Sequence, residues 1–399
     1  MSRRARNTRP IAIAGGGIGG LACALALARR GFKSVVLEQA RDFGEVGVGL
    51  QVAPNALHVL DALGVGERAK KDAFFIERMV MADAVSGDEI LNIECGEAFK
   101  KRFGNPYAVA HRADIHGALL DGCREQSLVE LRTSSRVASY EERDNGVDVL
   151  LSSGENIKAD ALIGADGVHS VVRRRIVNDG DPLPSGAMIY RAVIPAEQMP
   201  KDLQNPYPIM WVGPGTHIIY YPVRDWKVFN FGATIVTGAT SVNEEEDAPP
   251  AEALPLFEHG CDTPLRVLRI PKNFKRYLIR HREPAGNWTQ GAVTLIGDAA
   301  HPMVQYIAQG AAMALEDAIC LGVCVEETGG NYAEAFKRYQ DIRIVRASRV
   351  QMSSLIMDKI YHARGVARPV RNSLFEGRTQ EEHYNRLSWL YTAPPYVRI

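Results

Sequence analysis

The 399-residue chain has no surplus of either charge, with 47 Lys+Arg against 47 Asp+Glu. Such a balance presents no basic field to nucleic acid or to an anionic membrane, so neither is expected as a partner. Long apolar runs are also missing. A bilayer span needs ~20 consecutive apolar residues, and the best candidate, 307–324, is broken by Glu316 and Asp317. Cysteine is sparse: Cys23, Cys95, Cys123, Cys261, Cys320 and Cys324 contain no C-x-x-C pair. Cys320 and Cys324 lie one helical turn apart, yet no nearby Cys or His completes a ligand set. Buried thiols in a reducing, cytoplasmic setting are therefore expected, and no metal. No internal repeat is present. The basic MSRRAR followed by an apolar stretch containing Ala26-Leu27-Ala28 imitates a secretory signal. Cleavage there would delete the glycine turn described next, so that reading is rejected.

What is present is ordinary for a soluble globular protein, 46% hydrophobic and 24% charged, and long enough for two or three domains. The most informative stretch runs from Ile11 to Glu38. It reads as an apolar strand, three glycines at G-x-G-x-x-G spacing (Gly15, Gly17, Gly20), an alanine-rich helix and a second strand ending in Glu38. Gly15 permits the tight turn, Gly17 lets backbone approach a pyrophosphate, and Gly20 lets the helix pack closely on the strand. Amides at the helix start then face the phosphates. Glu38 is placed to accept hydrogen bonds from a ribose 2′-OH and to repel a 2′-phosphate, so NAD or FAD is expected.

Further on, Gly44, Gly47 and Gly49 precede Pro54-Asn55 and an amphipathic helix, a density that draws backbone close to a flat ligand or simply marks a surface loop. Residues 75 to 103 read as strands and turns. Tyr107 to Cys123 reads as a strand and a helix capped near Asp114, with Arg112 at the corner. Residues 129 to 163 alternate as strands do, with turns at Asp144-Asn145-Gly146 and Ser153-Gly154. They lead into Asp166-Gly167 and a helix bearing Arg173, Arg174 and Arg175, read as a solvated basic face. From about 185 to 280, alternating aromatic segments imply an antiparallel sheet, one face of which suits a planar substrate. Asn243 to Pro255 reads as an acidic linker entering a helix. Gly291 to Pro302 returns to a buried strand with Asp298 at its carboxyl end, where doubly wound sheets gather their ligands. The fold expected is α/β, a Rossmann-like domain interrupted by the sheet.

The motifs GGGIGG with Glu38, IGADGVHSVVRR, and LIGDAAHP with its acidic helix occur in an order that resembles the single-component FAD-dependent aromatic hydroxylases, over nearly the whole chain. The resemblance implies a three-layer ββα FAD domain of residues 1–75, 105–184 and 285–350. It implies a para-hydroxybenzoate-hydroxylase-like substrate sheet of 76–104 and 185–284, and a helical tail of 351–399. Gly15, Gly17, Gly20 and Glu38 would hold the ADP half of FAD, and Asp298 its ribityl chain. Gln51 and Arg112 would contact the cofactor, and Asp166-Gly167 would serve both FAD and a transient NADH. No second G-x-G-x-x-G exists, which fits such a visiting donor. Within the family, EVGVGLQVAPNA, YAVAHRADIH, HIIYYPVR, HPMVQYIAQGAAMALEDA and YHARGVARPVRN look like the 3-hydroxybenzoate 6-hydroxylase group. Gln305 and Ala308 stand where many relatives have proline and glycine.

Flavin chemistry inserts an electrophilic oxygen, so the phenol ring must be made electron-rich by deprotonation. His217 matches the family's catalytic histidine and is the candidate base, although without the resemblance a core histidine with a satisfied hydrogen bond is the favoured reading. Gln305 is expected to orient the substrate hydroxyl, with Tyr221, four residues from His217, on the same strand face. His301 is a weaker second base. Tyr190 and Arg191 are candidate partners for the substrate carboxylate. Salicylate and 6-hydroxynicotinate hydroxylases share this architecture, and a flavin hydride-transfer enzyme or an FAD-binding redox sensor are readings from other classes. The terminal WLYTAPPY is expected to be buried against the body or a second subunit, with a homodimer favoured.

Overall fold

The structure is a computed structural model that describes residues 8–44, 49–241 and 246–397. The basic MSRRAR segment, Gly47, and residues 243–245 of the acidic stretch lie outside the described residues.

Among the described residues a six-stranded sheet runs in the order Thr289–Gln290, Val293–Leu295, Ala161–Gly164, Ile11–Ala14, Ser34–Leu37, Val129–Arg132. All pairings are parallel except the edge hairpin at Thr289–Gln290. A strand covered on both faces reads as an unbroken apolar run, and Ile11–Ala14 is buried at every position. The helix Ile18–Ala28 lies against the helix Gly310–Glu327 through small residues: a Cβ on Gly322 would meet that of Ala26 at 3.1 Å, and one on Gly19 that of Ala314 at 3.2 Å.

The second sheet has eight strands, in the order Glu246–Ala248, Phe274–His281, Leu183–Pro195, Val228–Ala239, Thr216–Val223, Ile209–Gly213, Arg78–Asp83, Glu89–Glu94. It is antiparallel but for one seam: Ile209–Gly213 runs parallel to Arg78–Asp83. A parallel pair needs a long crossover, and here these two strands come from widely separated parts of the chain.

Several local expectations change. Residues Glu97–Phe103 form a helix rather than strands and turns, because Phe99 and Phe103 share one helical face and both are buried; Gly104, at φ 78°, ends it. The helix after Ala108–His111 starts at Arg112, so Asp114 lies inside its first turn. There its carboxylate complements the helix dipole and pairs with Arg224 at 3.3 Å. In the supposed acidic linker, Glu246–Ala248 is an edge strand whose Glu246 pairs with Arg276, followed by a short helix at Pro250–Ala253. Arg173 is fully buried instead of solvated. It binds Asp179 at 2.7 Å and the carbonyls of Ala299 and Ala300 at 2.9 and 2.6 Å, clamping the Asp298 turn.

The interrupted apolar run forms the helix Gly310–Glu327, and its two acids are fully buried. Arg343 on the helix Tyr332–Tyr361 answers both, at 2.5 Å to Glu316 and 2.7 Å to Asp317, and Arg346 adds a 2.7 Å contact to Glu316. The last helix, Gln380–Tyr391, opens with a Thr379/Glu382 capping box. Its Tyr384 and Tyr391 pack against Phe99 and Phe103, so the aromatic end is covered by the body of the same chain. Buried Asp83 ties the tail to the second sheet through Arg368 at 2.7 Å and Arg371 at 2.6 Å. Among the described residues no helix is long and apolar enough to cross a membrane.

Candidate active site

A cavity of about 890 Å³ separates the carboxyl ends of the parallel strands from the face of the eight-stranded sheet. Gly15, Gly17, Glu38, Gln51, Arg112, Asp166, Gly167 and Asp298 line it on the first side and His217 and Tyr221 on the second, while Gln305 lines it from the short turn Gln305–Ile307. Gly20 stands behind the wall.

On the first side the glycines have separate reasons to be glycine. Gly15 has φ +109°, and a Cβ there would lie 2.4 Å from the Ala165 carbonyl oxygen; one on Gly20 would lie 2.0 Å from that of Gly15. Gly17 occupies the cap position of the helix Ile18–Ala28, and no side chain caps it. The first-turn amides are therefore left without a side-chain cap, an arrangement suited to a pyrophosphate. The Glu38 carboxylate accepts the Gly16 amide at 2.8 Å and the Ala40 amide at 2.7 Å, which fixes it at the floor of the turn. Asp166 spends its carboxylate on the next helix, accepting Ser170 Oγ at 2.5 Å and the Val171 amide at 2.8 Å, while burial pushes its pKa up. Asp298 faces the cavity from a turn braced behind by Asp317, which accepts the Gly297 amide at 2.9 Å and contacts His301 Nε2 at 2.5 Å. His301 is thus fully buried and does not line the cavity. Gln51 accepts the Tyr107 hydroxyl at 2.8 Å.

On the second side, alternation along Thr216–Val223 turns His217, Ile219 and Tyr221 to the same face. His217 is 3% exposed and packs edge-on against Tyr306, ring centroids 5.6 Å apart, with Tyr361 at 5.7 Å. Burial first, and the neighbouring His362 second, hold its pKa well below the usual histidine range, so it is neutral. Its Nδ1 lies 2.8 Å from His362 Nε2. Burial pushes the Tyr221 hydroxyl pKa up, leaving it a neutral donor. The Gln305 amide oxygen accepts a hydrogen bond from Arg191 Nη2 at 2.7 Å, so its NH2 group is the end left for a ligand. The two candidate carboxylate partners separate: Arg191 lines the cavity, whereas Tyr190 points away and donates to Glu252 at 2.8 Å. Sequence reasoning missed His362 and Asp358. Their only signal was the YHARG segment, whose histidine meets His217 only after the chain has folded.

The FAD binding domain family matches residues 8–354. The 3-hydroxybenzoate 6-hydroxylase of Polaromonas naphthalenivorans is 45% identical over 96% of this chain and 95% of its own. The enzyme of the same name from Klebsiella oxytoca is 44% identical over 95% of each. The solved structure of Klebsiella pneumoniae HpxO complexed with FAD and uric acid superposes with a TM-score of 0.85 at 24% identity, covering 96% of this chain and 97% of that one, which establishes the shared fold. Since the matched region spans both sheets and the turn that would receive the pyrophosphate, the chain belongs to the FAD-dependent aromatic hydroxylases, flavoprotein monooxygenases with FAD as their cofactor.

Proposed function

We propose that this enzyme uses NADH and O2 to convert 3-hydroxybenzoate to 2,5-dihydroxybenzoate (gentisate). The observation that carries the reading is that His217, Tyr221 and the Arg191-held Gln305 line one cavity, in a chain 45% identical to a 3-hydroxybenzoate 6-hydroxylase. Gly15, Gly17, Gly20 and Glu38 hold the ADP half of the cofactor, Asp298 the ribityl chain, Gln51 and Arg112 the flavin side, and Asp166-Gly167 the approach of the nicotinamide. Residues 76–104 and 185–284 serve as the substrate domain and 351–399 as a helical tail. When bound, FAD supplies reducing equivalents and an electrophilic oxygen. The chain does the rest: neutral His217 takes the phenolic proton on its cavity-facing Nε2, the Gln305 amide and Tyr221 hydroxyl hold the phenol oxygen, and Arg191 draws in the carboxylate. Apolar side chains such as Met79, Met81 and Ile219 keep water from the reacting ring.

The test is NADH consumption coupled to product identification with 3-hydroxybenzoate, salicylate and 6-hydroxynicotinate, under 18-O2. Labelled gentisate from the first, with slow NADH oxidation when no phenol is present, is the expected result. A hydroxylated product from only one of the other two overturns the substrate assignment, and an unlabelled product overturns the oxygenase.

The assembly proposed is a homodimer in the cytoplasm, where its unpaired cysteines stay reduced. Ile342, Val345, Met352 and Ile356 form an exposed stripe at helical spacing on Tyr332–Tyr361. A second copy covers that stripe in this reading. Val345→Lys with Ile356→Lys is expected to halve the mass seen by analytical ultracentrifugation while FAD stays bound; an unchanged mass removes the stripe as the interface.

A further inference from the structure

His217, His362 and Asp358 form a continuous row from the cavity wall outward. His217 Nδ1 is 2.8 Å from His362 Nε2, and His362 Nδ1 is 2.9 Å from Asp358 Oδ1. Exposure rises along it: His217 is 3% and His362 8% exposed, and the Asp358 side chain is 30% exposed. The fold builds this row deliberately tight. His362 ends the helix Tyr332–Tyr361, one turn after Asp358, and its carbonyl accepts the Gly215 amide at 3.2 Å, which pins the helix end beside the start of the strand carrying His217. Gly215 has φ +74°, a conformation that strains any L side chain, and a Cβ there would lie 2.0 Å from the Arg364 guanidinium, which would have to move aside.

We propose that His362 and Asp358 are a proton relay that carries the phenolic proton from His217 to solvent. This rests on the reading of a phenol as substrate. The tautomers follow from the carboxylate end. Asp358 accepts from His362 Nδ1–H, so His362 Nε2 accepts from His217 Nδ1–H, and His217 Nε2 is left unprotonated toward the cavity. When the substrate O–H bond breaks, an N–H bond forms at His217 Nε2. The His217 Nδ1 proton passes to His362 Nε2, and the His362 Nδ1 proton passes to Asp358 and then to water. Each ring gains and loses one proton, and the negative charge stays on the substrate oxygen. A proton left on His217 would keep an imidazolium in a dry site, since among the described residues the rings in contact with the two histidines are the neutral Tyr306 and Tyr361, with the Arg364 side chain near the helix end. His217 is the residue that touches substrate; His362 and Asp358 act through it.

The experiment mixes FAD-loaded enzyme with 3-hydroxybenzoate in weak buffer at pH 8, without NADH. Flavin absorbance reports binding and a pH-indicator dye reports proton release. Wild type is expected to release a proton in step with binding. His362→Ala is expected to bind the ligand yet release the proton about tenfold or more slowly, with added imidazole restoring the rate. Asp358→Asn keeps the row's shape and removes its charge; it is expected to slow release by a smaller factor, and it carries the test if the alanine variant does not fold. Normal binding with wild-type release rates in these variants, or no release by wild type, overturns the relay alone. A flavin spectrum that 3-hydroxybenzoate does not move overturns the substrate reading and the relay with it.

Discussion

Replacing His217 by alanine is expected to lower kcat for hydroxylation by about 10²–10³-fold while FAD and 3-hydroxybenzoate still bind. The size follows from what a positioned base contributes, and the persistence of binding follows from the site's construction. Among the described residues the cofactor half shares no hydrogen bond with His217, which bonds His362. The pH dependence has a definite sign. Because burial lowers the ring's pKa, His217 stays neutral and able to accept a proton at pH values where an exposed histidine, with pKa ~6.5, would already be charged. The acid limb of kcat is therefore expected below that value. The same shift makes a stability statement: the unfolded chain binds the proton more readily than the folded one. This group's contribution is present above ~6.5 and is lost as pH falls from there toward the lower folded value. Steady-state product formation between pH 5 and 9, with a ligand titration of the variant, checks both parts. Unchanged turnover in His217→Ala removes the residue from the mechanism.

Arg343→Met is expected to cost about 3–5 kcal/mol of stability, because it strands two buried carboxylates. Burial alone would raise the Asp317 pKa, but the charges of His301 and Arg343 overcome that and hold it at about 2. Glu316 is lowered in the same contest, against its own burial, by Arg343 and Arg346. Both acids depend on a planar fork: Nη1 reaches Glu316 and Nε reaches Asp317. Lysine offers one point charge and cannot serve both, so Arg343→Lys is expected to recover only part of the loss. The damage should reach the cofactor as well. Asp317 holds the Gly297 amide and His301, and Asp298 stands in that turn, so FAD affinity should fall together with the urea midpoint. An unfolding free energy within about 1 kcal/mol of wild type would show that this cluster does not brace the fold.

Chain order alone made the cofactor half legible. The turn at Gly15 to Gly20, the acid at Glu38 and the strand before Asp298 are local features, each set by backbone space or by a run of buried residues within about thirty positions. The face shared by His217 and Tyr221 was also readable, since strand alternation needs no partner. Short segments whose state depends on neighbours were not: Glu97–Phe103 is a helix because the tail's tyrosines cover its phenylalanines, and Glu246–Ala248 is a strand because Phe274–His281 offers it an edge. Charge was the hardest to read. Arg173 reads as surface in a run of three arginines and becomes an internal clamp only when the Asp298 turn is laid on it. What the residues by themselves determined, then, is a glycine turn and the alternation that sends His217 and Tyr221 to one face, because those are properties of contiguous backbone; the sheet's other aromatics, Tyr190, Trp211, Tyr220, Phe229 and Phe231, pack in a core on the face away from the cavity. What only the tertiary structure decided is which polar groups are buried together: Asp317 with Arg343, Gln305 with Arg191, and His217 with His362. Those pairs join residues far apart in the chain, and burial, which no local pattern reports, sets their protonation and their use.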